Sequence, residues 1–156
     1  ASTTAIQVSP GNITFGNPQA NAFNTTATND PIIINNTGNV AVASGNIRIN
    51  ATDLSGETTP GETISAANFS VQEINETYGG GNWECTAQGT NNITNLTNKT
   101  FTAISGSILA IGNHTIQNGT SGQEHLFICL FHVPKGLSAQ SYSTLRYGPS
   151  WVVDVV

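Results

Sequence analysis

His125-Leu126-Phe127-Ile128-Cys129-Leu130-Phe131-His132-Val133 is the stretch on which the reading of the fold turns. It is apolar at both odd and even positions, rich in strand-forming side chains, and too short for an ordinary helix bounded by the polar residues around it. Such a run predicts a central strand buried on both faces. Shorter segments on either side show the same grammar. Pro31-Ile32-Ile33-Ile34-Asn35-Asn36 is a β-branched run closed by Thr37-Gly38-Asn39, and Ile47-Arg48-Ile49-Asn50-Ala51 alternates. Phe69 to Ile74, Phe101 to Ile104 and Trp151 to Val156 repeat the pattern. Further short strands are expected at Ala5–Val8, Ile13–Phe15, Val40–Val42, Trp83–Ala87, Ser107–Ile111, His114–Gln117 and Tyr142–Leu145. Gly, Asn and Pro separate them, and residues 54–66 read as a loop with one helical turn near Ser65-Ala66-Ala67. Many short strands with turn residues between them predict an all-β chain forming a single β-sandwich of jelly-roll or immunoglobulin-like type.

Composition limits what such a domain does. The chain has 156 residues, enough for one domain with a real core, and only 8% are charged. A net charge of −5 leaves no basic footprint for nucleic acid or an acidic membrane surface. No apolar run is long enough to span a bilayer, so no membrane insertion of the mature chain is expected. Methionine is absent and the sequence opens Ala1-Ser2-Thr3-Thr4, which fits removal of a signal peptide and an extracellular or cell-surface location. In an oxidising compartment Cys85 and Cys129 form a natural disulfide, since neither has a second Cys or His at metal-ligand spacing. Closing that loop stabilises the fold by roughly 4 kcal/mol in the chain-entropy model.

The pattern Asn-x-Ser/Thr recurs along the whole chain, at Asn12, Asn24, Asn35, Asn50, Asn68, Asn75, Asn92, Asn95, Asn98, Asn113 and Asn118. Ser and Thr make up roughly a fifth of the residues, a frequency at which the asparagines would produce about four such sites by accident. The excess predicts N-glycosylation and a surface covered in soluble sugar. A coat or structural role fits that surface better than a substrate cleft.

Catalytic and metal-binding patterns are weak. His114, His125 and His132 are not at ligand spacing; the last two flank the core strand as strand-end polar residues and point to opposite faces. No Gly-x-Ser-x-Gly elbow is present. Asp53, Glu57 and Glu62 share a loop without the spacing of a calcium site, and Gly79-Gly80-Gly81 lacks the helix and Lys of a phosphate loop. No enzyme activity, cofactor or metal is expected.

Both ends of the chain are strands. Trp151 to Val156 runs apolar to the last residue, and the first strand is set off by Ser9-Pro10-Gly11. Residues 1–10 therefore divide as a terminal strand and linker from a sandwich body of residues 11–156. A bare edge strand pairs readily with a neighbouring molecule, and donation of a terminal strand is a known mode of assembly.

The stretch from Ile6 to Thr52 carries a resemblance. Its Ile13-Thr14-Phe15-Gly16, then Pro31-Ile32-Ile33-Ile34-Asn35-Asn36-Thr37-Gly38-Asn39-Val40 and Ile47-Arg48-Ile49, are similar to the TasA and camelysin biofilm-fibre group and to related archaeal bundling-pilus and thread subunits. The similarity covers the first third to half of the chain, and the abundance of sequons looks archaeal. The resemblance implies a jelly-roll-like sandwich whose copies are strung together by donor-strand complementation. Asn36-Thr37-Gly38-Asn39 is expected to supply positive-φ turn positions. Ala5, Ile6 and Val8 are the expected donor strand, with Ile6 and Val8 as its knobs; Ile13 and Phe15 anchor the acceptor's own fold. The expected partners are identical copies and covalent N-glycans. The alternative is a surface adhesin or carbohydrate-binding module presenting Trp83 or Trp151 to sugars; a secreted hydrolase lacks its motifs. Protein isolated natively should exceed its polypeptide mass by several glycans on intact-mass analysis; a bare polypeptide mass would contradict the sequon reading.

Overall fold

The computed structural model describes residues 1–74, 84–87, 93–106, 109–112, 122–145 and 148–156. Asn75, Asn92, Asn113, Asn118, Trp83 and His114, with the strand expected at His114–Gln117, lie outside the described residues. The described chain is all-β, with strands β1 (Ile6–Ser9), β2 (Phe23–Thr26), β3 (Ile32–Asn36), β4 (Ile47–Asn50), β5 (Leu54–Gly56) and β6 (Thr63–Ile64). They continue as β7 (Phe69–Glu73), β8 (Ile93–Asn95), β9 (Phe101–Ala103), β10 (Gln123–His132), β11 (Tyr142–Ser143) and β12 (Val152–Val155). One 3-10 turn at Ala66–Asn68 is capped by the Ser65 hydroxyl, which accepts from Ala67 N.

All named strand pairs are antiparallel. The large sheet has the order β1-β3-β10-β7-β8, with β2 also beside β10; the smaller sheets are β12-β4-β9 and β11-β5-β6. Ile32, Ile34, Phe69, Val71, Leu126, Ile128 and Leu130 of the large sheet meet Ile47, Ile49 and Ile64 of the smaller sheets in one buried cluster, the interior of a sandwich-like fold.

β10 is the central strand that its sequence predicts. Residues 124–130 are all buried. Leu126, Ile128 and Leu130 face the interior, whereas Phe127 and Cys129 face the other side of the sheet. That second face is covered by residues 84–87. Cys85 is joined to Cys129 by a disulfide, Ser70 Oγ donates to Thr86 O at 2.6 Å, and Glu84 N donates to Gln72 Oε1 at 2.7 Å. Thus residues 84–87 form a strap on the outer face of the sheet, held covalently to β10 at Cys129.

On one side of β10 two strands follow each other. β3 pairs with Gln123 to Leu126, and β2 with Cys129 to His132. At the interval between them Asp30 Oδ1 accepts from Ile128 N at 3.2 Å. Asp30 is buried, its Oδ2 has no hydrogen-bond partner, and desolvation pushes its carboxyl up to about 7 against the one lowering contribution from the Ile128 amide.

Several expected strands take other forms. Ile13–Phe15 is not a strand: Thr14 O accepts from Thr28 N, Thr14 N donates to Asn29 Oδ1, and Phe15 packs edge-on against Phe69 at 5.4 Å. Val40–Val42 is reduced to a bridge between Val42 and Leu109, because Gly45 at φ +87° turns the chain back towards β4. Residues 84–87 form the strap and no strand, and the strand expected at Ser107–Ile111 is only that bridge where it is described. β2 was not signalled by its Phe-Asn-Thr-Thr sequence. His125 is not a strand-end residue: it is buried within β10, its Nε2 bonded to Gln123 Oε1 at 2.8 Å.

The raised pKa of Asp30 sets a sign. Its folded value, about 7, lies above the unfolded 3.8, so the folded state binds the proton more tightly. The stabilisation is fully present below pH 3.8 and is lost as pH rises to about 7. The loss is on the order of 4 kcal/mol from the 1.36 kcal/mol per unit relation. Asp30→Asn should flatten the decline in urea-unfolding free energy between acid and neutral pH; an equal decline in both proteins would contradict the assignment.

Candidate assembly surface

β1 lies at an edge of the large sheet. Its backbone pairs on one side only among the described residues, Ile6 opposite Asn36 and Val8 opposite Ile34. Strict alternation decides its orientation. Gln7 and Ser9 are exposed, whereas Ile6 and Val8 are half-buried and pack on the core cluster. Within this single chain the expected donor strand therefore sits in its own molecule's sheet, joined to β2 by residues 10–22, none of which is in a strand.

Residues 1–5 extend this attachment. Thr37 N and Gly38 N donate to Ala5 O at 2.9 and 3.1 Å, and Asn39 N donates to Thr3 O at 2.9 Å. Thr3 N donates to Asn39 Oδ1 at 2.7 Å, and Asn39 Nδ2 donates to Ala1 O at 3.0 Å. The turn 36–39 is thus a clamp for the N-terminal arm. Gly38 serves it by close approach and not by the positive φ expected for this segment, since no residue from 36 to 39 has φ > 0. A Cβ on Gly38 would fall on the carbonyl oxygen of Thr3 and within 2.8 Å of Ala5 N. Asn36 braces the turn from below, donating from Nδ2 to Val40 O at 2.8 Å and to Ala110 O at 3.0 Å.

The C-terminal strand β12 occupies an edge of its own sheet, paired with β4 through Val153 opposite Ile49 and Asp154 opposite Arg48. Arg48 donates to both carboxylate oxygens of Asp154, at 3.0 and 2.8 Å, which fixes the register of this pair. Trp151, just before it, is half-buried: its Nε1 donates to Thr52 O at 2.8 Å and its ring stands edge-on to Phe69 at 5.0 Å.

The described sequon asparagines are spread over other places. Asn12, Asn24 and Asn98 are exposed; Asn35, Asn50, Asn68 and Asn95 are half-buried. They lie in β2, β3, β4 and β8, in the 3-10 turn and in loops, and neither β1 nor β12 contains one. Asn24 adopts φ 55°, a conformation asparagine tolerates better than most residues. Asn98 Oδ1 accepts from Asp53 N, and Asn35 Oδ1 from Gln123 Nε2.

The acids of the 53–62 loop are engaged separately. Asp53 Oδ1 accepts from Ala66 N, Glu57 Oε1 from Ser143 Oγ, and Glu62 from Ser138 and Gln140. Gln140 Oε1 also accepts from Thr58 N and Thr59 N, locking the β5–β6 turn. His132 bonds Asn21 through Nε2 and stacks on Phe23 at 4.5 Å. Among the described residues no three His, Cys, Asp or Glu side chains form a metal-binding group, and no helix is long and apolar enough to cross a membrane. Comparison with protein-family models, curated proteins and solved structures finds no match.

Gly38→Ala should push the arm off the turn. The expected cost is about 1–3 kcal/mol of stability, as for other overpacking, with faster amide hydrogen exchange at residues 37 and 39. Unchanged protection there would contradict the clamp.

Proposed function

We propose that this chain is the structural subunit of an extracellular, N-glycosylated filament, a pilus-like thread or a biofilm or sheath fibre, in which copies join by donor-strand complementation. One observation carries the reading: β1 supplies Ile6 and Val8 to the core and pairs with β3 alone, while residues 10–22, which tie it to the rest of the chain, contain no strand. A segment bound in that way can make the same bonds to a second copy. Exchange gains and loses the same β3 ladder, the same two apolar side chains and the same clamp at residues 36–39. Concentration and geometry then decide between self-docking and assembly. If each copy gives its strand to the next without reciprocation, the assembly stays open and grows as a filament.

Three features support the reading. The edge strands β1 and β12 contain no sequon, so no glycan is attached to the backbone edge of either. The first third to half of the chain also resembles the TasA, camelysin and archaeal thread or bundling-pilus subunits that assemble in this manner. The disulfide strap suits a subunit held outside the cell. The adhesin alternative gains little from Trp151, whose indole packs on Phe69 and bonds Thr52.

Deletion of residues 1–8 should abolish polymers and leave a folded, disulfide-bonded body. That body should bind a synthetic peptide of residues 1–9, and the peptide with Ile6 and Val8 both changed to Asp should not bind. Filaments formed by the truncated protein would overturn the proposal.

A further inference from the structure

The outer face of the β12-β4-β9 sheet places one sequon between two exposed apolar side chains. In register, Asn50 stands opposite Val152 on one side and Phe101 on the other. Direct cross-strand neighbours hold their Cβ atoms about 4.5–5.5 Å apart. Phe101 is 40% exposed and Val152 46%. The adjacent row is satisfied within the protein: Arg48 binds both oxygens of Asp154 and lies 4.5 Å over the Phe101 ring. In the row of Val152, Asn50 and Phe101 both apolar side chains stay exposed even with Arg48 over one face of the Phe101 ring.

The amide of Asn50 is oriented for substitution. Its Oδ1 is buried without a hydrogen-bond partner, whereas its Nδ2 is neither buried nor bonded to a described group. The nitrogen, the atom to which a sugar attaches, is thus the less enclosed end of the amide. Asn50 also opens the sequon Asn50-Ala51-Thr52.

We propose that Asn50 carries a glycan whose first sugar lies across Phe101 and Val152, a covalent cover for the outer face of this sheet. The inference rests on the reading of the sequons as glycosylation sites and is independent of strand exchange. In the attachment step Asn50 Nδ2 attacks C1 of a sugar activated on a lipid-linked phosphate or diphosphate. The N–C1 bond forms, the C1–O bond breaks with its electron pair leaving on the phosphate, and the Nδ2 proton passes to a base of the transferase. Thr52 is buried beneath Trp151 and Gly148, so transfer precedes the closing of residues 148–151 over the sequon. Once attached, the pyranose is a single bond from Nδ2, close to both neighbours. Its C–H face is apolar enough to lie on an aromatic ring, which removes from water the exposed parts of Val152 and of the Phe101 ring beside Arg48.

The test uses protein made in its natural cells. Glycopeptide mapping should find Asn50 occupied, and NMR should show protons of its first sugar shifted upfield by the Phe101 ring. Phe101→Leu, which keeps an apolar side chain, should abolish that shift while Asn50 stays occupied. Asn50→Gln and Phe101→Leu should each lower the unfolding midpoint, with a combined loss smaller than the sum of the two. Occupied sequons elsewhere with a bare Asn50, an absent ring shift, or additive losses would overturn the inference alone. Bare asparagines throughout would overturn the glycoprotein reading with it. A bare Asn50 in an oligomer that Phe101→Leu dissociates would assign the face to a second copy instead.

Discussion

The hydrogen-bond ladder of β10 is the constraint on which the other elements depend. Seven consecutive buried residues leave no water for its backbone, so every amide and carbonyl must find a protein partner. β7 satisfies one side; β3 and β2 together satisfy the other. Because no single strand spans the second side, the chain crosses between β2 and β3, and Asp30 meets Ile128 N at the crossing. The Asp30 carboxyl thereby gives the Ile128 amide the acceptor that neither strand supplies. The apolar residues on the outer face of β10 create a second demand. The strap at residues 84–87 lies on that face, and the Cys85–Cys129 bond and its hydrogen bonds to Ser70 and Gln72 hold it in place.

A sheet built outwards from one buried strand ends in edges. In the large sheet β1 is the edge beyond β3, and in the smaller sheet β12 is the edge beyond β4. Natural sheets commonly blunt such edges with charge, proline or covering loops. Here β1 has no charged residue, and the one charge on β12, Asp154, is consumed by Arg48. Neither strand contains a sequon, whereas β8, at the other edge of the large sheet, contains Asn95. In the proposed filament, copies associate through the two plain edges, β1 and β12, and glycans are left to strands and loops outside them. This division of surface is the physical content of the filament proposal.

Much of the fold was legible because burial writes a pattern. The double-sided apolar run of β10, the β-branched run of β3 and the alternation in β4 and β12 each announced a strand, and the paired cysteines announced the disulfide. Ser65-Ala66-Ala67 marked the helical turn. The misreadings came where side-chain bonds replaced ladders. Ile13–Phe15 alternates like a strand, but Thr14 and Asn29 hold it as a loop, and its apolar residues pack on Phe69 without pairing. Phe23–Thr26 lacks alternation and was invisible, because its pairing is dictated by what β10 requires. Of the candidate assembly surface, Ile6 and Val8 were readable from alternation. The arm before them was not: Ala-Ser-Thr-Thr-Ala has no periodicity, and its attachment arises from backbone groups meeting Asn39 and a glycine too crowded to bear a side chain. The sequons were readable as motifs, but only the register shows that Asn50 stands between Phe101 and Val152.

Electron cryo-microscopy of the protein isolated from its cells without denaturant tests the central claim most directly. The account predicts filaments in which residues 1–9 of each subunit lie beside β3 of the next, with Ile6 and Val8 in the neighbour's core and the arm in its residue 36–39 clamp. Discrete monomers whose β1 stays beside their own β3, or filaments whose subunits keep that strand to themselves, would contradict it.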